Sequence, residues 1–191
     1  MKEAPTRRPS IRQAYADRTK HAILKAARHV FATRGYAEAG IRDIAARAEV
    51  NPALVGRYFG SKIELFEAAL LASFDVTYFI FTARENFGAI IAESFCRSKN
   101  EVAFAVPMLV FAAGDSLARK SALRILKKRV MAPLESWFGE PEATERVSQL
   151  LAVVTGFYTY RIMLPLDSLS GAPSTAMQRW LARTLQEIVD R

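Results

Sequence analysis

A chain of 191 residues that is 51% apolar can bury a real core, which argues against wholesale disorder. Its single cysteine, Cys96, excludes an internal disulfide framework and a cysteine-rich metal site. The net charge of +8 lies entirely in residues 1–62, which hold 13 Lys/Arg and 5 Asp/Glu, whereas residues 63–191 hold 14 of each. This distribution predicts a cationic unit of the kind that binds phosphate backbones, joined to a neutral unit.

The polar N-terminal segment lacks the apolar core of a secretory signal, and a lone free thiol suits a reducing cytoplasm. Residues 147–166 form the longest apolar stretch, but polar side chains that include Arg161 interrupt it. A buried or interface helix therefore explains this stretch better than a membrane span. We expect a cytoplasmic protein with no membrane partner.

The first third of the chain predicts short helices. Residues 1–17 lack a long apolar period and are expected to form a flexible basic arm. Helical periodicity begins at Arg18 and meets a glycine stop at Gly35, and a short second helix follows from Ile41. The pair Asn51-Pro52 then predicts a third helix, because Asn is a strong N-cap and Pro fits the first helical position.

The remainder predicts longer helices. Ser61 and Glu64 form a capping box that opens a helix expected to reach about Ala83. No convincing alternating strand pattern is present, so the fold is expected to be all-α, with about nine helices. We predict a helix-turn-helix unit over residues 18–64 and a second helical unit over residues 65–191. The further predicted helices cover residues 86–97, 101–113, 116–138, 141–164 and 174–189.

Short cationic helices joined by a tight turn at residues 48–51 are typical of a helix-turn-helix, in which the second helix of the pair enters the major groove. Val50 supplies the apolar plug between the two helices. The residues expected to face outward from the groove-reading helix are Pro52, Ala53, Leu54, Gly56 and Arg57.

The order and spacing of many landmarks over about residues 18–67 resemble the signature of tetracycline-repressor-type (TetR) regulators. These landmarks are Ile23-Leu24, Ala26-Ala27, Phe31, Gly35, Ile44-Ala45, Val50, Tyr58-Phe59, Ser61-Lys62 and Leu65. Residues 51–62 resemble an actinobacterial-style subgroup of that family. The resemblance implies a bacterial homodimer that binds a near-palindromic double-stranded DNA operator, is released by a small lipophilic or aromatic effector, and has neither enzymatic activity nor a cofactor.

The resemblance also implies roles for individual residues. Arg42 matches a position that often contacts bases or phosphate, and Tyr58 and Lys62 match positions that commonly hold the DNA backbone. Tyr58 has an equal alternative, which is to pack beneath the groove-reading helix. The complete predicted DNA-binding set is Arg42, Asn51, Pro52, Ala53, Leu54, Gly56, Arg57, Tyr58 and Lys62.

Three positions depart from the family pattern. Gly40 stands where a Thr or Ser cap is usual, and Gly56 where a phosphate-binding tyrosine is frequent; Arg57 could compensate for the latter. Glu49 replaces the usual turn glycine. Either the turn does not need a positive φ at Glu49, or its strain is tolerated.

Other chemistry finds little support. His21 and His29 are too far apart to pair as metal ligands on one helix, and no carboxylate or cysteine cluster completes a site. Cys96 has no nucleophile constellation, so a buried thiol is expected. The remaining alternatives are a ligand-independent repressor, an activator, and a small-molecule carrier with a vestigial DNA-binding unit.

The aromatic-rich second unit could enclose a ligand cavity. Arg161 is expected to be buried and to need a partner, either an internal carboxylate or an acidic ligand. The predicted ligand-binding set is Phe74, Tyr78, Phe104, Met108, Phe111, Trp137, Leu151, Val154, Tyr158 and Arg161. The predicted dimer interface, on the helix face that contains Gly156 and on the last helix, is Ala152, Val153, Gly156, Tyr160, Met163 and Trp180.

Overall fold

Helices make up all the regular structure of residues 11–74, 84–97 and 104–191, which are the residues that the computed structural model describes. Nine helices, numbered here in chain order, lie in these ranges, which confirms the predicted all-α fold. They are α1 (Ile11–Glu38), α2 (Ile41–Arg47), α3 (Pro52–Phe59), α4 (Lys62–Leu71), α5 (Phe87–Cys96), α6 (Ala105–Ala112), α7 (Ser116–Leu126, a π-helical turn Lys127–Met131, then Ala132–Phe138), α8 (Ala143–Tyr158 with a π-helical turn Thr159–Met163) and α9 (Thr175–Asp190).

The local start signals act as predicted. The Asn51 side chain accepts a hydrogen bond from the Ala53 backbone N–H at 2.9 Å, and Pro52 opens α3. Ser61 and Glu64 form both hydrogen bonds of the capping box at the start of α4. These helices therefore begin where short-range side-chain chemistry satisfies their first N–H groups.

Several helix bounds differ from the predictions. α1 begins at Ile11, so residues 11–17, expected in the arm, are helical, and the Gln13 side chain donates to Asp17 one turn along at 3.1 Å. By contrast, the backbone does leave the helical conformation at Gly35 (φ 73°, ψ 174°), where the sequence predicts a glycine stop, and a further helical turn follows to Glu38. α4 ends at Leu71, well short of Ala83, and residues 72–74 leave the helix. The prediction for residues 75–83 lies outside the described residues.

Two buried apolar clusters organise the helices. The first contains the core residues of α1–α4 together with side chains of α6 and α7, among them Met108 and Ile125. The second lies between α5, α7, α8 and α9. Because the first cluster extends into α6 and α7, the helix-turn-helix unit packs directly on the C-terminal helices, so a shift of α6 or α7 must be felt by α1 and α4.

The crossing of α5 and α9 depends on a glycine. A Cβ on Gly88 would lie 2.2 Å from the Ala182 carbonyl oxygen, so only glycine permits this approach. The Gly88 backbone N–H also donates to Gln186 Oε1 at 2.9 Å.

None of the described helices is long and apolar enough to cross a bilayer.

Candidate nucleic-acid interface and ligand cavities

The turn between α2 and α3 has a strained centre. Glu49 has a positive φ of 55°. Of the two possibilities that the sequence left open for this turn, the one that applies is therefore a positive φ whose strain is tolerated. Val50 is half-buried against the first cluster, as the predicted plug requires, and Val55 of α3 is buried beside it. The apolar contacts on both sides of the turn hold Glu49 in this conformation.

The outer face of α3 is solvent-exposed. Asn51, Pro52, Ala53, Gly56 and Arg57 are all exposed, and a Cβ on Gly56 would meet nothing within 4 Å. Two other members of the predicted DNA-binding set face partly inward. Leu54 and Tyr58 are half-buried and pack against the first cluster, which is the alternative considered for Tyr58.

One arginine of α2 and one of α3 are available for an external partner. Arg42 and Arg57 are exposed, and within residues 11–74, 84–97 and 104–191 neither has a hydrogen bond or an ion pair. Arg34, by contrast, is paired with Asp43 of α2 through a 2.8 Å contact. An unpaired guanidinium is the group expected at a phosphate or a base edge.

Lys62 already has an intramolecular role. Its Nζ donates to the Ala37 carbonyl oxygen at 3.2 Å and lies 4.6 Å from the centre of the Tyr36 ring. Ala37 lies near the end of α1, where backbone carbonyls lack helical partners. The sequence did not predict this contact, because every residue has a backbone carbonyl and nothing in the sequence indicates that the Tyr36 ring lies near Lys62.

Gly40 lies beside the Asp43 carboxylate, the end of a flexible side chain that a Cβ at position 40 would approach to 2.8 Å. No side chain caps the start of α2. At the start of α4, the Glu64 carboxylate accepts from the Ser61 N–H at 2.7 Å, and hydrogen bonds from Ser61 lower the pKa of Glu64. The α4 N-terminus therefore carries its own anion.

The residues that the sequence predicted to share one pocket are divided among separate spaces. The inner cavity has a volume of about 90 Å³ and lies among α5–α8 and Phe74. The junction pocket, of about 590 Å³, lies between α1, α6 and the end of α8. Of the predicted ligand-binding set, Phe74, Leu151 and Val154 line the inner cavity. Phe104, Phe111 and Tyr158 line the junction pocket.

The other members of the predicted ligand-binding set lie elsewhere or cannot be placed. Met108 is fully buried within the first cluster. Trp137 stacks on Phe87 with a centroid distance of 4.9 Å, which uses the ring for packing. Neither residue lines the inner cavity or the junction pocket. Tyr78 lies outside the described residues.

Arg161 is buried as expected, but the prediction for its partner is wrong. Its guanidinium donates to the carbonyl oxygens of Phe95 and Cys96, each at 2.7 Å, and of Gly171 at 3.0 Å. The first two are orphan acceptors at the end of α5, so backbone carbonyls replace the expected carboxylate or acidic ligand. Burial raises the pKa of the neighbouring Cys96 thiol, which keeps that thiol protonated.

The predicted dimer face is open to solvent along α8 and α9. Tyr160 is 49% exposed and Trp180 43% exposed, and Ala152 is exposed. Val153, Gly156 and Met163 are half-buried, and a Cβ on Gly156 would meet nothing within 4 Å. Met163 also lines the junction pocket.

A helix-turn-helix with unpaired arginines, packed on a larger helical unit that contains cavities, defines a two-part transcription regulator. Residues 23–69 match the family described as "Bacterial regulatory proteins, tetR family". Residues 85–189 match the one described as "Tetracyclin repressor-like, C-terminal domain". The second match alone covers more than half of the chain, which therefore belongs to the TetR family, a family of regulators and not of enzymes.

Relatives named as repressors are similar to part of the chain. The chain is 57% identical over 49 residues to the HTH-type transcriptional repressor Rv3405c of Mycobacterium tuberculosis, which is 26% of each chain. It is 42% identical over 65 residues to the repressor NicS of Pseudomonas putida, 34% of this chain and 31% of NicS. The similarity thus spans about a quarter to a third of these relatives.

Solved structures extend the likeness in fold to nearly the whole chain. A TetR-family regulator from Streptomyces coelicolor matches 98% of this chain and 100% of its own, at 24% identity and a TM-score of 0.54. A TetR-family regulator from Rhodococcus sp. matches 91% and 97%, at 15% identity and a TM-score of 0.68. These likenesses show that the C-terminal helices share the family's architecture.

Proposed function

We propose that this chain is a cytoplasmic bacterial repressor that binds a near-palindromic operator as a homodimer and is released by a small molecule. The observation that carries the proposal is the exposure of Arg42 in α2 and Arg57 near the end of α3, both without a partner among the described residues, together with the exposed start of α3. The excess positive charge in residues 1–62 supports the same surface. Two relatives that match part of the chain are named as repressors.

On this proposal, α3 enters the major groove with Asn51, Pro52 and Ala53 toward the bases. None of the three forms strong side-chain hydrogen bonds to bases. The Asn51 side chain caps the helix, and the side chains of Pro52 and Ala53 are apolar. Arg42 supplies most of the sequence discrimination and Arg57 a phosphate contact, at the helix end where the usual tyrosine is replaced by Gly56.

The dimer is proposed to form through the α8 and α9 face that contains Gly156, Tyr160 and Trp180. Exposed aromatic side chains beside a glycine with open space allow a second helix to approach closely. The two-fold arrangement would place the two copies of α3 about 34 Å apart, one turn of DNA.

The effector is proposed to be neutral and lipophilic or aromatic. Solved relatives include a regulator from Saccharomonospora viridis in complex with choline and the multidrug-binding protein EbrR with ethidium, both cationic ligands. In this chain, no carboxylate lines the inner cavity or the junction pocket among the described residues. A cationic ligand would therefore have aromatic rings but no carboxylate counter-ion in these walls, so a neutral ligand loses less on burial. Release from DNA then requires the ligand to prefer a conformer that fits the operator poorly.

A mobility-shift assay with fragments of the source genome tests DNA binding. We expect a salt-resistant complex with the wild-type protein and its loss in the double variant Arg42→Ala/Arg57→Ala. The matched control Arg119→Ala/Arg129→Ala removes the same charge from exposed positions of α7 and should keep the complex. If the wild type forms no such complex with any fragment, the proposal fails, and a small-molecule carrier with a vestigial DNA-binding unit is the favoured alternative. Equal losses in both double variants would mean that net charge alone drives binding.

A further inference from the structure

We propose that the junction pocket is a ligand site that links the helix-turn-helix unit to the C-terminal helices, and that it takes a neutral, largely apolar molecule with one hydrogen-bonding group directed at His29. The site itself stands on the observations below. Only its effect on DNA affinity rests on the proposed function.

The junction pocket has the size and walls of a small-molecule site. Its volume of about 590 Å³ exceeds that of the inner cavity several-fold and lies within the roughly 300–1,000 Å³ typical of ligand pockets. Three helices form its walls, so it is concave and not a flat face. The lining residues are His29, Ala32, Thr33, Phe104, Pro107, Val110, Phe111, Tyr158, Thr159, Ile162, Met163 and Leu164.

His29 is the polar anchor of this pocket. Its ring makes an edge contact with Phe104 at 6.2 Å between centroids, and it has no hydrogen-bond partner among the described residues. Burial, with a smaller contribution from Arg47, lowers the pKa of His29, so the imidazole is neutral at pH 7. A neutral imidazole offers one N–H donor and one ring-nitrogen acceptor. The nearby Thr33 hydroxyl is already used, because it donates to the His29 carbonyl oxygen at 2.9 Å.

The charge around the pocket selects a neutral ligand. No Asp, Glu, Lys or Arg side chain lines it within the described part of the chain. An adjoining pocket whose wall also contains His29 and Phe104 is lined by the charged residues Lys25, Arg28, Arg47 and Glu49, and the Arg28 guanidinium lies 5.2 Å from the Phe104 ring centre. Because three of these four groups are cations, a cationic ligand would be repelled, and a carboxylate would lose its hydration without a direct partner in the junction pocket.

Apolar side chains on the wall supply the driving force. Phe111 is 41% exposed, Ile162 48% and Leu164 63%. The last two belong to or follow the π-helical turn at the end of α8, a feature that recurs at functional sites. Covering these side chains with an apolar molecule removes their surface from water, which is favourable by roughly 25 cal/mol per Å².

The position of the pocket gives it a regulatory consequence. His29, Ala32 and Thr33 belong to α1, whose Arg34 is paired with Asp43 of α2. A ligand wedged between α1 and α6 therefore acts on the DNA-binding unit without passing through the inner cavity.

Titration with Nile red, a neutral apolar dye with a carbonyl acceptor, tests the site. Thr33→Trp fills the pocket from an exposed position of α1, and His21→Trp is the matched control, because His21 is exposed on α1 and lines neither space. Leu151→Trp fills the inner cavity instead. We expect saturable dye fluorescence in the wild type, in His21→Trp and in Leu151→Trp, and its loss in Thr33→Trp. His29→Phe, which keeps the ring but not its hydrogen bond, should weaken binding about fivefold.

Three outcomes would overturn the inference. Loss of dye binding in Leu151→Trp, with binding kept in Thr33→Trp, would move the ligand to the inner cavity and leave the proposed function intact. Undiminished dye binding in both Thr33→Trp and Leu151→Trp would mean that the dye binds at neither space. Conversion of Thr33→Trp to a monomer in sedimentation velocity would make a second copy of the chain the occupant. Mobility shifts on the same proteins report DNA binding separately, so failure of the proposed function is distinguishable from failure of the site.

Discussion

Replacing Lys62 by methionine separates two roles of one side chain. Methionine keeps the apolar stem of lysine but removes the ammonium group that donates to the Ala37 carbonyl and lies over the Tyr36 ring. The first role is to hold the end of α1 against the start of α4. The second is the phosphate contact predicted from the family resemblance.

The structural role has a definite magnitude. A hydrogen bond from a charged donor contributes about 1.5–3 kcal/mol when shielded, and the half-buried Lys62 should fall near or below the lower limit. A cation–π contact at an exposed site adds about 0.5–1 kcal/mol. Lys62→Met should therefore lower the free energy of unfolding by about 1–2 kcal/mol, which for a chain of this size is a fall in Tm of about 2–8 °C.

Thermal unfolding and the salt dependence of DNA affinity report the two roles independently. Lys120→Met, at an exposed position of α7, is the control of equal charge. If Lys62 also binds phosphate through its remaining N–H groups, the slope of log K against log salt should fall by about 0.9 per subunit, or about 1.8 per dimer. A Tm equal to that of Lys120→Met would refute the structural argument, and an unchanged slope would remove Lys62 from the DNA-binding set.

Four further predictions concern single positions. Arg42→Ala should leave Tm unchanged and lose more affinity for operator than for random DNA; an equal loss of both, by anisotropy titration, would make Arg42 a phosphate contact. Glu49→Gly should raise Tm by about 1–3 °C because glycine relieves the positive φ, and a lower Tm in calorimetry would contradict this reading. Gly88→Ala should cost at least about 2 kcal/mol in denaturant unfolding, because its Cβ meets backbone in α9, whereas wild-type stability would show that the helices move apart easily. The Ser121 hydroxyl donates to Glu67 at 2.6 Å and lowers the pKa of this carboxyl below its ordinary 4.5, so its contribution to stability is present above that pH and lost as the pH falls through the lowered value. Glu67→Gln should shrink the difference in Tm between pH 7 and pH 3, and an unchanged difference would place the acid-sensitive group elsewhere.

Short-range chemistry made the helix-turn-helix predictable. The caps at Asn51 and Ser61 act within three residues of their own positions, so the sequence carries them in full. The landmarks that resemble the TetR signature lie mostly in this region. The ends of the longer helices were predicted less accurately, because apolar periodicity continues to Phe74 although α4 ends at Leu71.

The contacts that decide the detail of the site are made at long range. Arg161 was predicted to be buried, yet its partners are backbone carbonyls, which every residue has and which therefore leave no signature in a sequence. For the same reason, the sequence did not predict that Lys62 donates to the Ala37 carbonyl oxygen. Only the path of the chain determines which carbonyls meet a cation.

By itself the sequence determined the helices, the cationic first third and the family, because periodicity, capping and charge are properties of neighbouring residues. It also supplied the aromatic residues that were predicted to form a ligand site. Whether those residues share one pocket was decided by tertiary packing, which placed Phe74 in the inner cavity, Phe104 in the junction pocket and Trp137 in a ring stack. Tertiary packing also made His29 a candidate ligand anchor. Residues of α6 and α8 form the pocket wall beside it, and the sequence of α1 gives no sign of that pocket.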